Sequence, residues 1–235
     1  MNKYLFWDFD GTLGGRIDGH RGLAWSMSLL EAIHEMHPKS RLTVNDIVPH
    51  LKQGFPWHEP EKSHLHLNTS KLWWDNLEKV FIQAYENLGF SQEMTSELAQ
   101  LARKRFLDLS RWELYEDTIP VLRKLQLHGW KHIIVSNHVP ELDLIVSHLE
   151  LDMYITDIIN SAVVGFEKPN PRIYKAAFER ALHAKDIWMI GDNINADVLG
   201  AEQAGIKAIL VRSMDPRARY SFQDLYSVER FLQAN

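Results

Sequence analysis

Residues 4–12 read Tyr4-Leu5-Phe6-Trp7-Asp8-Phe9-Asp10-Gly11-Thr12. Residues 4–9 make a short, largely apolar run, the pattern of a strand covered on both faces, as in a parallel sheet. In extended chain, residues two apart point to the same side, so Asp8 and Asp10 both face one site at the strand's C-terminal end. Ligands bind at that end in open α/β sheets. Gly11 permits an abrupt change of chain direction. Two neighbouring carboxylates attract a hard cation such as magnesium, which takes oxygen ligands. The same residue types also compose an ordinary solvated turn.

Further runs of this strand type follow far downstream, at 131–135, 187–190 and 208–211, and Val163-Val164 forms a weaker fifth. Helix-period segments alternate with them at 119–128, 141–149, 171–183 and 196–204, with Gly129 and Gly205 where helix C-caps belong. That alternation predicts repeated βαβ units, an α/β fold on a parallel sheet. Residues 16–112 have another texture. Segments 23–37, 73–88 and 94–109 read as amphipathic helices. Between the first two, residues 38–66 hold Pro38, Pro49, Pro56 and Pro60, which argue against one long helix. The first strand is therefore separated from the other α/β units by a helical insertion.

Composition narrows the chemistry. At roughly 150 residues per domain, the 235 residues suggest one large domain or two small ones. The absence of cysteine excludes disulfides, thiolate zinc sites, iron–sulfur clusters and a cysteine nucleophile. It also fits a reducing compartment. With 26 basic against 31 acidic residues there is no basic surplus, so a nucleic-acid partner is not expected. The N-terminal apolar run is too short for a signal peptide, and no run approaches the ~18 residues of a membrane span. The expectation is a soluble, cytoplasmic protein, monomer or homodimer, with no membrane partner.

Three more segments carry polar groups at the ends of apolar runs. In Ile133-Ile134-Val135-Ser136-Asn137-His138, the Ser136 hydroxyl and a main-chain N–H near Asn137 could face an anion, or could cap the helix starting near Pro140. In Gly165-Phe166-Glu167-Lys168-Pro169-Asn170-Pro171, Lys168 precedes a proline and is held out of helix, and Pro171 suits a first helical turn. There Lys168 can neutralise a phosphoryl oxygen or an aspartate, or simply lie in solvent. In Gly191-Asp192-Asn193-Ile194-Asn195-Ala196-Asp197, Asp192 sits at a strand mouth and Asp197 near the first turn of a helix, where it can cap or complement the dipole. In a parallel sheet these ends share one edge, which brings Asp8, Asp10, Ser136, Lys168 and Asp192 together.

With these motifs in this order, the sequence resembles the haloacid dehalogenase superfamily, in particular its C1-capped subfamily I phosphatase-like hydrolases. The resemblance implies a Rossmann-like, doubly wound parallel core of residues 1–15 plus 113–235, with an inserted helical cap of residues 16–112. It implies Asp8 as nucleophile forming an aspartyl-phosphate, and Asp10 as general acid and then base. Ser136, Asn137 and Lys168 would bind the substrate phosphate. Mg2+ would be held by the Asp8 carboxylate, the Asp10 main-chain carbonyl and Asp192, with Thr12 and Asp197 supporting this shell. Dehalogenating members lack the second aspartate, so Asp10 favours phosphate chemistry. Asn170, Asn193 and Gly14-Gly15 depart from residues frequent in the family, without removing a reacting group.

The function expected is a magnesium-dependent phosphatase for a small phosphorylated metabolite. A phosphomutase on a sugar phosphate, or a non-catalytic metal-binding scaffold, are the competing readings. In the cap, Trp25, Trp73 and Trp74 are expected in a helical-bundle core, and His50, His58, His64 and His66 at the surface. Trp57 and His58 are the expected substrate contacts.

Overall fold

Leu5, Phe6 and Trp7 are fully buried, and the strand they form, β1 (Lys3–Trp7), lies inside the sheet rather than at its edge. The computed structural model describes residues 2–17 and 23–234. After β1 come β2 (Gly14–Arg16), α1 (Ala24–Met36), α2 (Val44–Ile47), α3 (Ser70–Asn87), α4 (Gln92–Phe106) and β3 (Trp112–Leu114). Then follow α5 (Thr118–Leu127), β4 (Trp130–Ser136), α6 (Leu142–His148), β5 (Ile155–Asn160), α7 (Ser161–Val164), α8 (Pro171–Arg180) and β6 (Asp186–Gly191). A π-type turn (Ile194–Leu199), α9 (Gly200–Gln203), β7 (Lys207–Val211), β8 (Ser221–Phe222) and α10 (Leu225–Ala234) complete the chain.

Six strands form one sheet in the order β5-β4-β1-β6-β7-β8, every neighbouring pair parallel. Alternate residues feed opposite faces. Leu5, Trp7, Ile134 and Ile190 pack with Leu122 of α5, Ile145 of α6 and Val228 of α10. Tyr4, Phe6, Ile133, Val135 and Met189 pack with Ile173 and Ala177 of α8 and Ala201 of α9. This is the doubly wound α/β arrangement, and burying each such aliphatic or aromatic side chain contributes roughly 1.5–3 kcal/mol. Strand order turns back at β1, between β4 on one side and β6 on the other. That is the topological switch point, where the C-terminal strand ends open a crevice.

The segment between β2 and β3 is helical. Leu29, Ala32 and Ile33 of α1, Leu77, Phe81 and Ala84 of α3, and Leu98, Ala99 and Ala102 of α4 are buried. Their three- and four-residue spacing gives each helix one apolar stripe, and the stripes face one another. The proline-rich stretch carries only α2 and short 3-10 turns at Val48–Leu51, Pro56–His58 and Leu65–Leu67, two of them with proline in the first turn. Residues 18–22, inside the expected cap, lie outside the described residues.

Two local expectations are corrected. Val163-Val164 is not a strand but the end of α7. Asn160 caps that turn by accepting from Ala162 N at 3.0 Å, and the strand is β5 just before it. The helix expected over 196–204 is instead the π-type turn followed by the short α9. An antiparallel ribbon, β2 with β3, joins the sheet to the helical segment at both crossings. Its tightness explains Gly14, where a Cβ would lie 2.4 Å from the Glu113 carbonyl oxygen. Among the described residues, no helix is long and apolar enough to cross a membrane.

Candidate active site

Asp8 follows the last residue of β1, and its N–H donates to the Ile190 carbonyl of β6 at 2.9 Å. The ladder thus carries Asp8 to the mouth of the switch point. Its Oδ1 accepts from the Ser136 hydroxyl at 2.7 Å and from Lys168 Nζ at 2.8 Å. Lys168 also donates to Asp197 Oδ1 at 2.6 Å. Asn137 braces the lysine from behind: its Oδ1 accepts from Lys168 N at 2.6 Å and its Nδ2 donates to Lys168 O at 2.9 Å. Burial works against the ammonium of Lys168, but Asp197 and Asp8 outweigh it and hold its pKa above the usual lysine range. The lysine is therefore a fixed positive charge.

Asp8, Asp192 and Asp197 each present a carboxylate oxygen, all within 4.8 Å of one another. Burial first, then the neighbouring charges of Asp8, Asp197 and Asp10, push Asp192 up to about 7. Burial raises Asp197 to about 6 against the opposing Lys168. Such a crowd of acids is what a divalent cation relieves, and the donors are the hard oxygens such an ion takes. Gly11, at φ 86°, lets the loop come up against this group: a Cβ there would lie 2.6 Å from Asp192 Oδ2. Asp10 stands outside the three-carboxylate group. Burial, then the charge of Asp8, pushes it up to about 7, while Arg16 opposes the shift.

One cavity of about 820 Å³ receives Asp8, Asp10, Asn137, Lys168, Asp192 and Asp197. Trp57 and His58 line it too, on the helical side. Ser136 is buried outside the lining and meets the site through its hydrogen bond to Asp8. Thr12 is fully buried outside the lining, and its Oγ1 has no hydrogen-bond partner among the described residues. His138 also lines the cavity, with both ring nitrogens buried and without a hydrogen-bond partner among the described residues. It packs against Phe9 and Trp112 at centroid distances of 5.6 and 5.3 Å, and burial lowers it to about 4. Glu167 is buried beside Lys168 and raised by burial to about 7. Both flank residues singled out in the sequence, and adjacency was the one signal available for them. Trp73 and Trp74 are core as expected, whereas Trp25 is only half-buried and faces the cavity. His64 is buried, not at the surface. Its main-chain N–H donates to the Gly165 carbonyl at 2.8 Å, tying the helical segment to the loop before Lys168.

Comparison with known proteins is consistent with this geometry. The chain is 27% identical over 186 residues to the human haloacid dehalogenase-like hydrolase domain-containing protein 3, covering 73% of this chain and 72% of that protein. It is 31% identical over 148 residues to the phosphoserine phosphatase of Thermus thermophilus, covering 60% of this chain and 58% of that enzyme. In fold it matches the HAD-hydrolase YfnB of Bacillus subtilis, determined bound to magnesium, with a TM-score of 0.75 at 20% identity over 99% of both chains. The model of the haloacid dehalogenase-like hydrolases matches residues 3–205, which span the sheet edge, the helical segment and the acid cluster alike, so the chain belongs to that family of hydrolases.

Proposed function

We propose that this hydrolase is a magnesium-dependent phosphatase that cleaves a small phosphorylated metabolite through an aspartyl-phosphate on Asp8. The observation that carries the reading is the pairing of two acids with different environments at one strand end. Asp8 is a carboxylate gripped by Ser136 and Lys168. Asp10, two residues on, is raised to about 7 and so keeps a proton to give near neutral pH. A phosphatase needs both: a nucleophile and an acid for the leaving oxygen. The phosphatase names carried by relatives support this reading over a mutase.

The Asp8 carboxylate attacks phosphorus, an O–P bond forms, and the bond to the substrate's alcohol oxygen breaks. Asp10 transfers its proton to that departing oxygen. The Asp10 carboxylate then takes a proton from a water molecule that attacks the aspartyl-phosphate, which releases inorganic phosphate and restores Asp8. The Ser136 hydroxyl and Lys168 stabilise the charge spread over the phosphoryl oxygens, and Asn137 keeps the lysine in place. The Asp8 and Asp192 carboxylates and the Asp10 main-chain carbonyl would hold Mg2+, with Asp197 orienting Lys168. When bound, the ion supplies further positive charge to the phosphoryl oxygens. Residues 16–112 act as the cap over the core of residues 1–15 and 113–235, and the enzyme works in the cytoplasm.

The test is phosphate release from a panel of phosphorylated metabolites with Mg2+, with a chelator, and with Asp8→Asn. Release should need the metal and fall on the order of 10³-fold or more in the variant. Equal release by wild type and Asp8→Asn overturns the mechanism. Isomer interconversion without release identifies a mutase instead.

A further inference from the structure

The cavity has two unlike walls. Its floor is the acid and lysine group; its roof comes from the helical segment and is aromatic. Trp25 stacks on Phe106 with centroids 3.8 Å apart and planes 11° from parallel. Phe55 stacks on Trp57 at 4.6 Å and 28°. The pairs meet where Trp25 lies 5.0 Å from Phe55 and 5.8 Å from Trp57. All four rings line the same cavity as Asp8 and Lys168.

These rings are not spent in the same way. Phe55 and Phe106 are each 3% exposed and serve as backing, as does Trp73 at 1% beyond the lining. Trp25 and Trp57 keep part of their surface open, and both line the cavity. A helical bundle satisfied by its own packing has no need to leave two indoles half-covered on an internal wall. The indole surface they leave open can receive a flat partner, and offset stacking favours an aromatic ring over a saturated ring of equal bulk. His58, next to Trp57, lines the same cavity, and partial burial lowers its pKa. At about 820 Å³ the cavity is within the usual range for a ligand site. It has room for more than a phosphate and a few carbons.

Resting on the phosphatase reading, we infer that the roof is a subsite for a planar aromatic ring. The substrate is then a phosphomonoester whose alcohol portion carries such a ring, held on Trp57 and Trp25 while the phosphate lies on Asp8 and Lys168. Short aliphatic esters would reach the floor but leave the roof unused.

The test uses the full chain with Mg2+ and matched substrates. Benzyl phosphate and cyclohexylmethyl phosphate share an alkyl ester bond and similar bulk and differ in ring flatness. AMP and ribose 5-phosphate share the ester bond and differ by the base, with a longer reach. In at least one pair kcat/KM should favour the aromatic member by about 10-fold or more. In Trp57→Leu that ratio should fall toward one, and in Trp57→Phe it should largely persist. Ratios near one in both pairs for the wild type overturn the inference. A binding arm separates this from failure of the phosphatase reading: quenching of tryptophan fluorescence by benzylphosphonate against cyclohexylmethylphosphonate needs no turnover. Preference for the aromatic phosphonate sustains the subsite even if no ester is hydrolysed. Equal binding in the absence of turnover rejects it.

Discussion

The floor and the roof of the cavity are built by opposite means. On the floor, the reacting and binding groups follow strand ends or helix entrances, and Asp8, Ser136, Asn137, Lys168 and Asp197 are joined by hydrogen bonds. Asp8 is held by Ser136 and Lys168, and Lys168 by Asn137 and Asp197. The parallel ladder fixes these positions before any side chain contributes. The roof has no ladder. Trp25, Phe55, Trp57 and Phe106 come from three separate stretches of chain and meet only through helix and loop packing. The difference teaches that the acids and the lysine stand on the rigid layer, while the aromatic wall is carried by side chains whose exchange would leave the acids in place, which suits the leaving-group role proposed for it.

The sharpest way to break the floor is at Gly191. A Cβ there would lie 2.2 Å from the Asp197 Cγ, so Gly191→Ala must displace Asp197 from Lys168. Overpacking of this kind costs about 1–3 kcal/mol of stability. A misplacement near 1 Å costs on the order of 10² in rate. Phosphate release should fall by about that factor while the fold, followed by circular dichroism, persists. An active Gly191→Ala enzyme would show that the floor is more pliable than the roof.

Deeper in the sheet, His132 tests the rigidity beneath the floor. It is fully buried, and Nδ1 accepts from Trp7 Nε1 at 3.0 Å while Nε2 meets the Leu122 carbonyl at 3.1 Å. Burial lowers it to about 4 from 6.5, with the Leu122 bond opposing. Its folded pKa lies below its unfolded one, so the unfolded chain binds the extra proton. The stability it contributes is therefore complete above about pH 6.5 and is lost as pH falls toward 4. The loss amounts to roughly 3 kcal/mol by pH 4. Asp10 and Asp192, with raised values, pull the other way, so the quantity to measure is a difference. The gap in urea unfolding free energy between wild type and His132→Gln should shrink by that amount between pH 7 and pH 4. A gap independent of pH rejects this account of His132.

The same contrast explains what the sequence disclosed. The four main inner strands read as apolar runs because they are covered on both faces. Each catalytic candidate was legible because it stands where such a run stops. The ribbon of β2 and β3 was not legible: three residues per strand, Gly14-Gly15-Arg16 against Trp112-Glu113-Leu114, leave no period to detect. β5 is hard to read because Thr156 and Asp157 interrupt its apolar character, while the neighbouring Val163-Val164 is more apolar than the strand itself. Helical periodicity puts Trp25 in the bundle core because it reports only that a residue faces inward. Periodicity does not say whether what lies inward is protein or cavity.

The smallest expected effect lies where floor and roof are fastened together. Glu141, at the start of α6 on the sheet side, accepts from the Ser70 hydroxyl at 2.6 Å and from Trp74 Nε1 at 3.0 Å. Arg103 Nη2 stands 3.6 Å from the same carboxylate and its guanidinium lies over the Trp74 ring. Asn170 adds a second tie by donating to the Pro60 carbonyl at 2.9 Å. Glu141→Ala leaves the buried Trp74 N–H without its acceptor, a loss of about 1–3 kcal/mol, whereas Glu141→Gln keeps an acceptor oxygen and should recover most of it. Because Glu141 is outside the cavity lining, the chemical step should be spared. Loosening the helical segment should raise KM several-fold and leave kcat within about twofold, the pattern of lost ground-state binding. A fall in kcat with KM unchanged would mean instead that the roof helps to set the floor, and the separation between the two walls would have to be abandoned.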